Sequence, residues 1–349
     1  MKYRSWILST FLVLGYICCL GFTCALGFGW KDYKEHFLSP DGRVIDFYQH
    51  KISHSEGQGY GLLLALANKD KQAFEKIWKW TKDNLQMRKG DKLLCWSWGL
   101  RPNGSWQVID YNNASDGDIL VAWALYLGWK RWQEPAYKKA AEEIVKSIRS
   151  RLSFVQNGWA CILPGYYGFQ DGKAIILNPS YIILPAFQDF AQLDRPNFWN
   201  QVKTFSTTML KKAVFGPWSL PPDWIIWNPN ENRVLPYKKG PRFGYDAWRV
   251  FLYSSWSKEH PFIQGFEKLW MFFNKNGYLP EYVDLQKECI SLKECPAGAY
   301  AALAAFAGAV GKQQEAADLY KMADKKIAYD AKDYFSASLY LLSKARFEK

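Results

Sequence analysis

The sequence predicts an all-α fold, an (α/α)6 barrel of about twelve helices in two concentric rings. Helical segments recur along the chain and alternate between two kinds, one apolar nearly all round and one with a charged face. A helix apolar on every side has to be buried, whereas one with a polar face lies at the surface. Strand-like pieces are few and short, such as 108–110 and 174–177, and no linker or low-complexity segment divides the 349 residues.

In chain order, a first helix is expected near 30–37, followed by an apolar one at 60–67 (YGLLLALA) and a charged amphipathic one at 71–85. The pattern repeats with 119–129 (ILVAWALYLGW) and 136–152, then 181–191 and 197–212. It continues with 245–256 and 262–274, then 297–310 and 313–323, and closes with a helix near 334–342. Each amphipathic helix returns the chain to the start of the next apolar one. The inner helices therefore all run the same way, and their N-terminal ends gather at one rim.

Composition agrees with a large packed core. A hydrophobic content of 49% with 22% charged residues excludes intrinsic disorder, a disulfide miniprotein and a polytopic membrane protein. The 18 Trp, 21 Tyr and 22 Phe exceed what a core of this size normally needs. The surplus fits either an aromatic-rich core or a groove lined with flat faces for a flat ligand. The net charge of +12 raises nucleic acid as a partner, but the basic residues are scattered pairs such as Lys138-Lys139 and Lys211-Lys212. Such pairs are solvated faces, and no nucleic-acid partner is expected.

Lys2 and Arg4 precede an uncharged stretch that runs to Trp30, with small residues around Ala25. A basic start, an apolar middle and a small-residue cleavage site describe a secretory signal over 1–25 and a periplasmic or secreted protein. An uncleaved membrane anchor is the competing expectation, because the run is long enough to span a bilayer. Residues 26–349 are then one catalytic domain. Of the seven Cys, four lie beyond the signal: Cys95, Cys161, Cys289 and Cys295. Cys289 and Cys295 bracket a short loop and are the expected disulfide pair in an oxidising compartment. His36, His50, His54 and His260 are dispersed and the Cys spacing matches no zinc pattern, so neither metal nor cofactor is expected.

Three carboxylates stand out. Glu56 precedes the first apolar helix, Asp116 the second, and Asp246 sits beside the start of a later one. Capping accounts for such residues singly, and fits Asp116 well, but Glu is a poor N-cap. Convergence of all three on one rim points instead to a site. Without a metal or a nucleophilic Ser or Cys motif, such a cluster suits glycoside hydrolysis, in which one carboxyl is protonated and the other ionised. Glu56, at the head of an apolar helix, suits the acid. Asp246, with Arg249 one turn on to hold it charged, suits the base. Gly57, Gly59 and Gly61 either open the backbone to a polysaccharide or let helices pack closely.

These residues carry a resemblance to a known family. HSEGQGYG at 54–61 resembles the acid-bearing signature of the family-eight glycoside hydrolases, ASDGD at 114–118 its second motif, and GYDAWR at 244–249 its base-bearing motif. SPDGRVID at 39–46, NPSY at 178–181 and NGY at 276–278 follow in family order. The resemblance implies inversion of configuration and internal cleavage of a β-1,4-glucan, with Glu56 as general acid and Asp246 as general base. It also implies that Asp116 binds the sugar at the cleavage point, that Arg249 and Tyr181 support the base side, and that Trp96 stacks on a glucose ring. Tyr334 is a further aromatic candidate, with Phe335 where the family often has a second Tyr. Two departures, Gly117 for a common Ala and Trp248 for a smaller apolar residue, leave the carboxylates untouched, though Trp248 is expected to reshape the groove.

The implied partners are the glucan and the bacterial cellulose synthesis machinery, with a monomer as the expected state. Mixed-linkage glucan and xylan rank next as substrates. Chitosan, a polycation, ranks last for a basic protein. A non-hydrolytic glucan-binding component of polymer export is the rival class. Trp78, Trp80, Trp123 and Trp129 are expected in the core, and Trp96, Trp98, Trp248 and Tyr181 near the sugar.

Overall fold

The computed structural model describes residues 27–172, 174–237, 241–287 and 289–347. The export segment expected at 1–25 lies outside them. Twelve α-helices are formed among the described residues: α1 (Trp30–Phe37), α2 (Ser55–Ala67), α3 (Lys71–Leu85), α4 (Ser115–Trp132), α5 (Pro135–Leu152) and α6 (Leu184–Phe190) come first. They are followed by α7 (Pro196–Lys212), α8 (Trp248–Ser255), α9 (Ile263–Asn276), α10 (Ala297–Ala309), α11 (Gln313–Asp330) and α12 (Tyr334–Lys344). No helix among the described residues is long and apolar enough to cross a membrane.

The even-numbered helices form the inner ring of an (α/α)6 barrel. Helix α2 packs on α4 and on α12, and α12 packs on α10, which packs on α8. The ring closes through a 3-10 turn at Pro179–Tyr181, which leads into α6 and touches both α4 and α8. Helices α2, α4 and α10 are buried on nearly every side, as their unbroken apolar sequences require. Alanine and glycine dominate α10, and their small side chains let α8, α11 and α12 all approach it. The glycines of α2 serve the same purpose: a Cβ on Gly59 would lie 2.6 Å from Leu120 Cβ, and one on Gly61 would lie 2.8 Å from Val44. They admit neighbouring protein rather than a polysaccharide.

Several boundaries differ from expectation. Helices α2 and α4 begin at Ser55 and Ser115, so Glu56 and Asp116 lie inside the first turn rather than ahead of it. Helix α6 begins at Leu184, not near 181, because Pro185 is accepted only in a first turn and keeps the preceding segment out of the helix. Helix α8 begins at Trp248, three residues later than expected, because residues 244–247 are held in a turn.

Strand structure is richer than the sequence suggested. A three-stranded sheet joins Ser53–His54, Ser97–Leu100 and Trp106–Asp110, and a four-stranded one joins Gln170–Asp171, Ala174–Leu177, Ile225–Asn228 and Arg233–Pro236. The larger sheet packs on α7 over a separate small core that includes Phe205, Met209, Ile225 and Trp227. Strands of two to five residues are too short for an alternating pattern to register, and pairing with distant partners stabilises them.

The expected disulfide is absent. All four described cysteines are free, with Cys289 exposed and Cys295 buried, so the two thiols face different environments. Trp80 and Trp123 are core residues, and Trp78 and Trp129 pack partly buried against that core, as expected.

Candidate active site

Five of the six inner helices present a candidate residue at or just ahead of their N-terminal ends. Glu56 is in the first turn of α2 and Asp116 in that of α4. Tyr181 closes the 3-10 turn before α6, Asp246 and Arg249 flank the start of α8, and Tyr334 opens α12. The parallel run of the inner ring is what brings these positions, far apart in sequence, onto one rim.

Arg249 ties the carboxylates together. It is 3% exposed and sits at the centre of the cluster. Its Nη1 donates to Glu56 Oε1 and, at 3.1 Å, to Asp116 Oδ2, while Nη2 donates to Asp246 Oδ1 at 2.8 Å. Asp116 does not cap α4: the N-cap is Ala114, and Asp116 Oδ1 accepts from the adjacent Gly117 N–H. The space beside it explains Gly117, since a Cβ there would lie 2.1 Å from Ser55 Oγ.

Glu56 stands in more polar surroundings than its apolar helix suggested. Tyr60 donates to its Oε1 at 2.9 Å and Tyr334 to its Oε2 at 3.4 Å, in addition to the arginine. Tyr334 is buried against the carboxylate rather than displayed as a stacking platform. Asp246 accepts from Asn178 Nδ2 at 3.0 Å as well as from Arg249. The Tyr181 ring lies 5.6 Å from the Arg249 guanidinium carbon.

One buried cation among three carboxylates leaves an excess of negative charge, and a low-dielectric site resists that excess by retaining protons. Burial, reinforced by the charge of Asp246, pushes Asp116 up to about 7. Burial also raises Asp246, against the hydrogen bond from Asn178. Arg249 reaches Asp246 as expected, but it also shares its charge with Glu56 and Asp116. Near neutral pH a proton belongs to this cluster as a whole.

The cluster opens into a cleft of about 300 Å³ lined by Asp46, His54, Glu56, Tyr245, Asp246, Arg249, Asp333 and Tyr334. A neighbouring cleft of about 510 Å³ is lined by Phe169, Asp223, Trp224, Tyr237 and Arg242. Trp96 is half-buried, with its Nε1 held by Asp110 at 2.9 Å and one face stacked on His54 at 5.8 Å. His54 stacks in turn on Tyr334 at 6.0 Å. Trp98 packs against Trp80 and Trp106, and neither it nor Trp96 is among the residues lining the two clefts. Trp248 is also withdrawn: it is 2% exposed and packs on Phe243 at 4.6 Å, so it fills the core and does not reshape the groove.

Asp223 was not singled out from the sequence, nor were Tyr60 and Asn178 as partners of the carboxylates. Prolines before Asp223 and a Trp after it are weak signals of a loop at a ligand cleft. Nothing local connects it to Asp246.

Aromatic side chains beside three clustered carboxylates, set on the N-terminal rim of a helical barrel, suit a glycosidase of the acid–base type. The sequence profile of the family described as Glycosyl hydrolases family 8 matches residues 5–348, and the chain belongs to that family. It is 35% identical over 319 residues to a probable endoglucanase of Novacetimonas hansenii, covering 90% of this chain and 88% of that protein. Among solved structures, endoglucanase Cel10 from Klebsiella pneumoniae superposes with a TM-score of 0.77 at 34% identity, over 90% of this chain and 97% of that one. The endo-β-1,4-glucanase CMCax from Acetobacter xylinum has a TM-score of 0.77 at 33% identity, over 90% and 95% of the two chains.

Proposed function

We infer that this protein is an inverting, endo-acting hydrolase of internal β-1,4-glucosidic bonds in cellulose-like glucan. The observation that carries the inference is the meeting of Glu56, Asp116 and Asp246, from three separate elements, on the single guanidinium of Arg249 beside an aromatic-lined cleft. Glu56 gives its proton to the glycosidic oxygen. Asp246 takes a proton from the water that attacks the anomeric carbon from the opposite face. Exchange of one proton with solvent restores both groups. Asp116 binds the sugar at the cleavage point, Trp96 stacks on a glucose ring, and Tyr181 and Tyr334 position the base and the acid.

For Glu56 to act as the acid, its contact with Arg249 has to break as the glucan enters. Asp116 and Asp246 remain as partners for the cation. Residues 1–25 serve as an export signal and residues 26–349 as the catalytic domain, which works as a monomer in the periplasm or outside the cell, beside the cellulose synthesis machinery.

Reducing-end release from carboxymethyl-cellulose by wild type, Glu56→Gln and Asp246→Asn tests the chemistry. Loss of release in both variants with glucan affinity retained supports the two roles. Equal release by all three would show that these carboxylates do not cut.

Chitosan has a specific observation in its favour. The positive charge of the chain is not carried into the cleft, where Asp46, Glu56, Asp246 and Asp333 face Arg249 and His54. Product profiling on cello-oligosaccharides and chito-oligosaccharides side by side decides between a neutral and a cationic substrate.

A further inference from the structure

Asp223 lines the larger cleft, yet its hydrogen bonds reach the turn that carries Asp246. Its Oδ1 accepts from Gly244 N–H at 3.2 Å and from Ala247 N–H at 2.9 Å, so one carboxylate oxygen clasps both ends of the turn. Its own N–H donates to Arg242 O at 2.7 Å, which anchors Asp223 to the strand entering that turn. The close approach depends on a missing side chain. A Cβ on Gly244 would lie 2.8 Å from Asp223 Oδ2.

A turn held by two N–H groups needs only an acceptor, and the amide oxygen of Asn would supply one without charge. Placing a carboxylate beside another carboxylate costs energy in a buried site, since the two charges repel. The charge therefore calls for a reason beyond folding the turn. We propose that Asp223 is a positioning residue for the water-activating carboxylate, holding the 244–247 turn in place and biasing the charge on Asp246. This rests on the assignment of Asp246 as the base.

The electrostatic surroundings are consistent with that role. Asp223 is pushed up to about 7, first by burial and then by the charge of Asp246, with Arg242 opposing. Asp246 faces Arg249 and Asp116 across the cluster, with Glu56 on the far side of the guanidinium. Tyr181, Tyr245 and Tyr253 are the remaining titratable groups that feel its charge. Among these neighbours Asp223 alone bonds the backbone on both sides of Asp246.

The test measures kcat and KM across pH on a defined cello-oligosaccharide for wild type, Asp223→Asn and Asp223→Ala, with Asp246→Asn as the control. Asp223→Asn keeps an acceptor for the turn and removes a carboxyl that loses its proton beside the charged Asp246 only near neutral pH, so an inflection of the wild-type profile near pH 7 disappears. Asp223→Ala frees the turn, and kcat falls about 10- to 100-fold with KM little changed. A neutral-pH inflection that persists in Asp223→Asn overturns the electrostatic role, and an unchanged kcat in Asp223→Ala overturns the positioning role. If Asp223→Ala does not fold, the profile of Asp223→Asn still decides. An active Asp246→Asn sinks the base assignment, and the proposal with it. An inactive Asp246→Asn alongside a wild-type profile in Asp223→Asn sinks the electrostatic role alone.

Discussion

Replacing Arg249 by Met removes the cation that contacts all three carboxylates of the cluster. A guanidinium about 4 Å from a carboxylate at an effective dielectric constant near 20 contributes about 4 kcal/mol, equivalent to about 3 pKa units. Asp246 is 33% exposed at its side chain, so solvent trims that figure, and a rise of about 1–2 units is expected for it. Asp246 acts as base only when ionised. The acid limb of kcat/KM therefore moves up by about 1–2 pH units in Arg249→Met, and activity well below the limb falls about 10- to 100-fold. Arg249→Lys, with a single ammonium to share, lies between. The assay is the pH dependence of kcat/KM on a soluble cello-oligosaccharide, with thermal unfolding to confirm that each variant is folded. An Arg249→Met profile lowered equally at every pH, with its limbs unmoved, would refute the electrostatic role and leave only a structural one.

Stability is expected to fall as pH rises from about 4 to 8. Burial raises Asp116 and Asp223 to about 7 and Asp118 to about 8, so these groups stabilise the fold fully below the ordinary carboxylate range and lose that contribution as pH passes through their folded values. Urea midpoints at pH 5 and pH 8 check the sign, and a higher midpoint at pH 8 would contradict it. Trp248→Ala is expected to cost about 3–5 kcal/mol of stability without changing the lengths of the released oligosaccharides, as read by denaturation and product chromatography. Of the four described cysteines, Cys289 alone is exposed, so alkylation of the native protein followed by peptide mapping should label it and spare Cys95, Cys161 and Cys295 until the protein is denatured.

The barrel was legible in the sequence because its two rings write different patterns into their helices. Helices such as α2 and α10 have no polar face to expose, while α3 and α5 each have one, and the alternation alone orders them into inner and outer layers. The same pattern places Glu56, Asp116 and Asp246 on a common rim. The small sheets escaped notice because strands of a few residues leave no periodic trace.

Aromatic residues divide in the same way. Position in a buried helix was enough to assign Trp80 and Trp123 to the core. It was not enough for Trp248, whose place next to Asp246 suggested the groove although its ring turns inward onto Phe243. Sequence adjacency fixes where a backbone goes, whereas the rotamer and the cavity on offer decide where a side chain points.

By itself the sequence determined the ring architecture, the rim and the three carboxylates, because helix periodicity is a local property of the chain. Tertiary structure alone decided that Arg249 reaches Glu56 across 193 positions of sequence, that Asp223 clasps the turn of Asp246, and that Cys289 and Cys295 stay apart. Charges act through space and fall off with distance, so the partner that tunes a buried carboxylate is set by how the rings close.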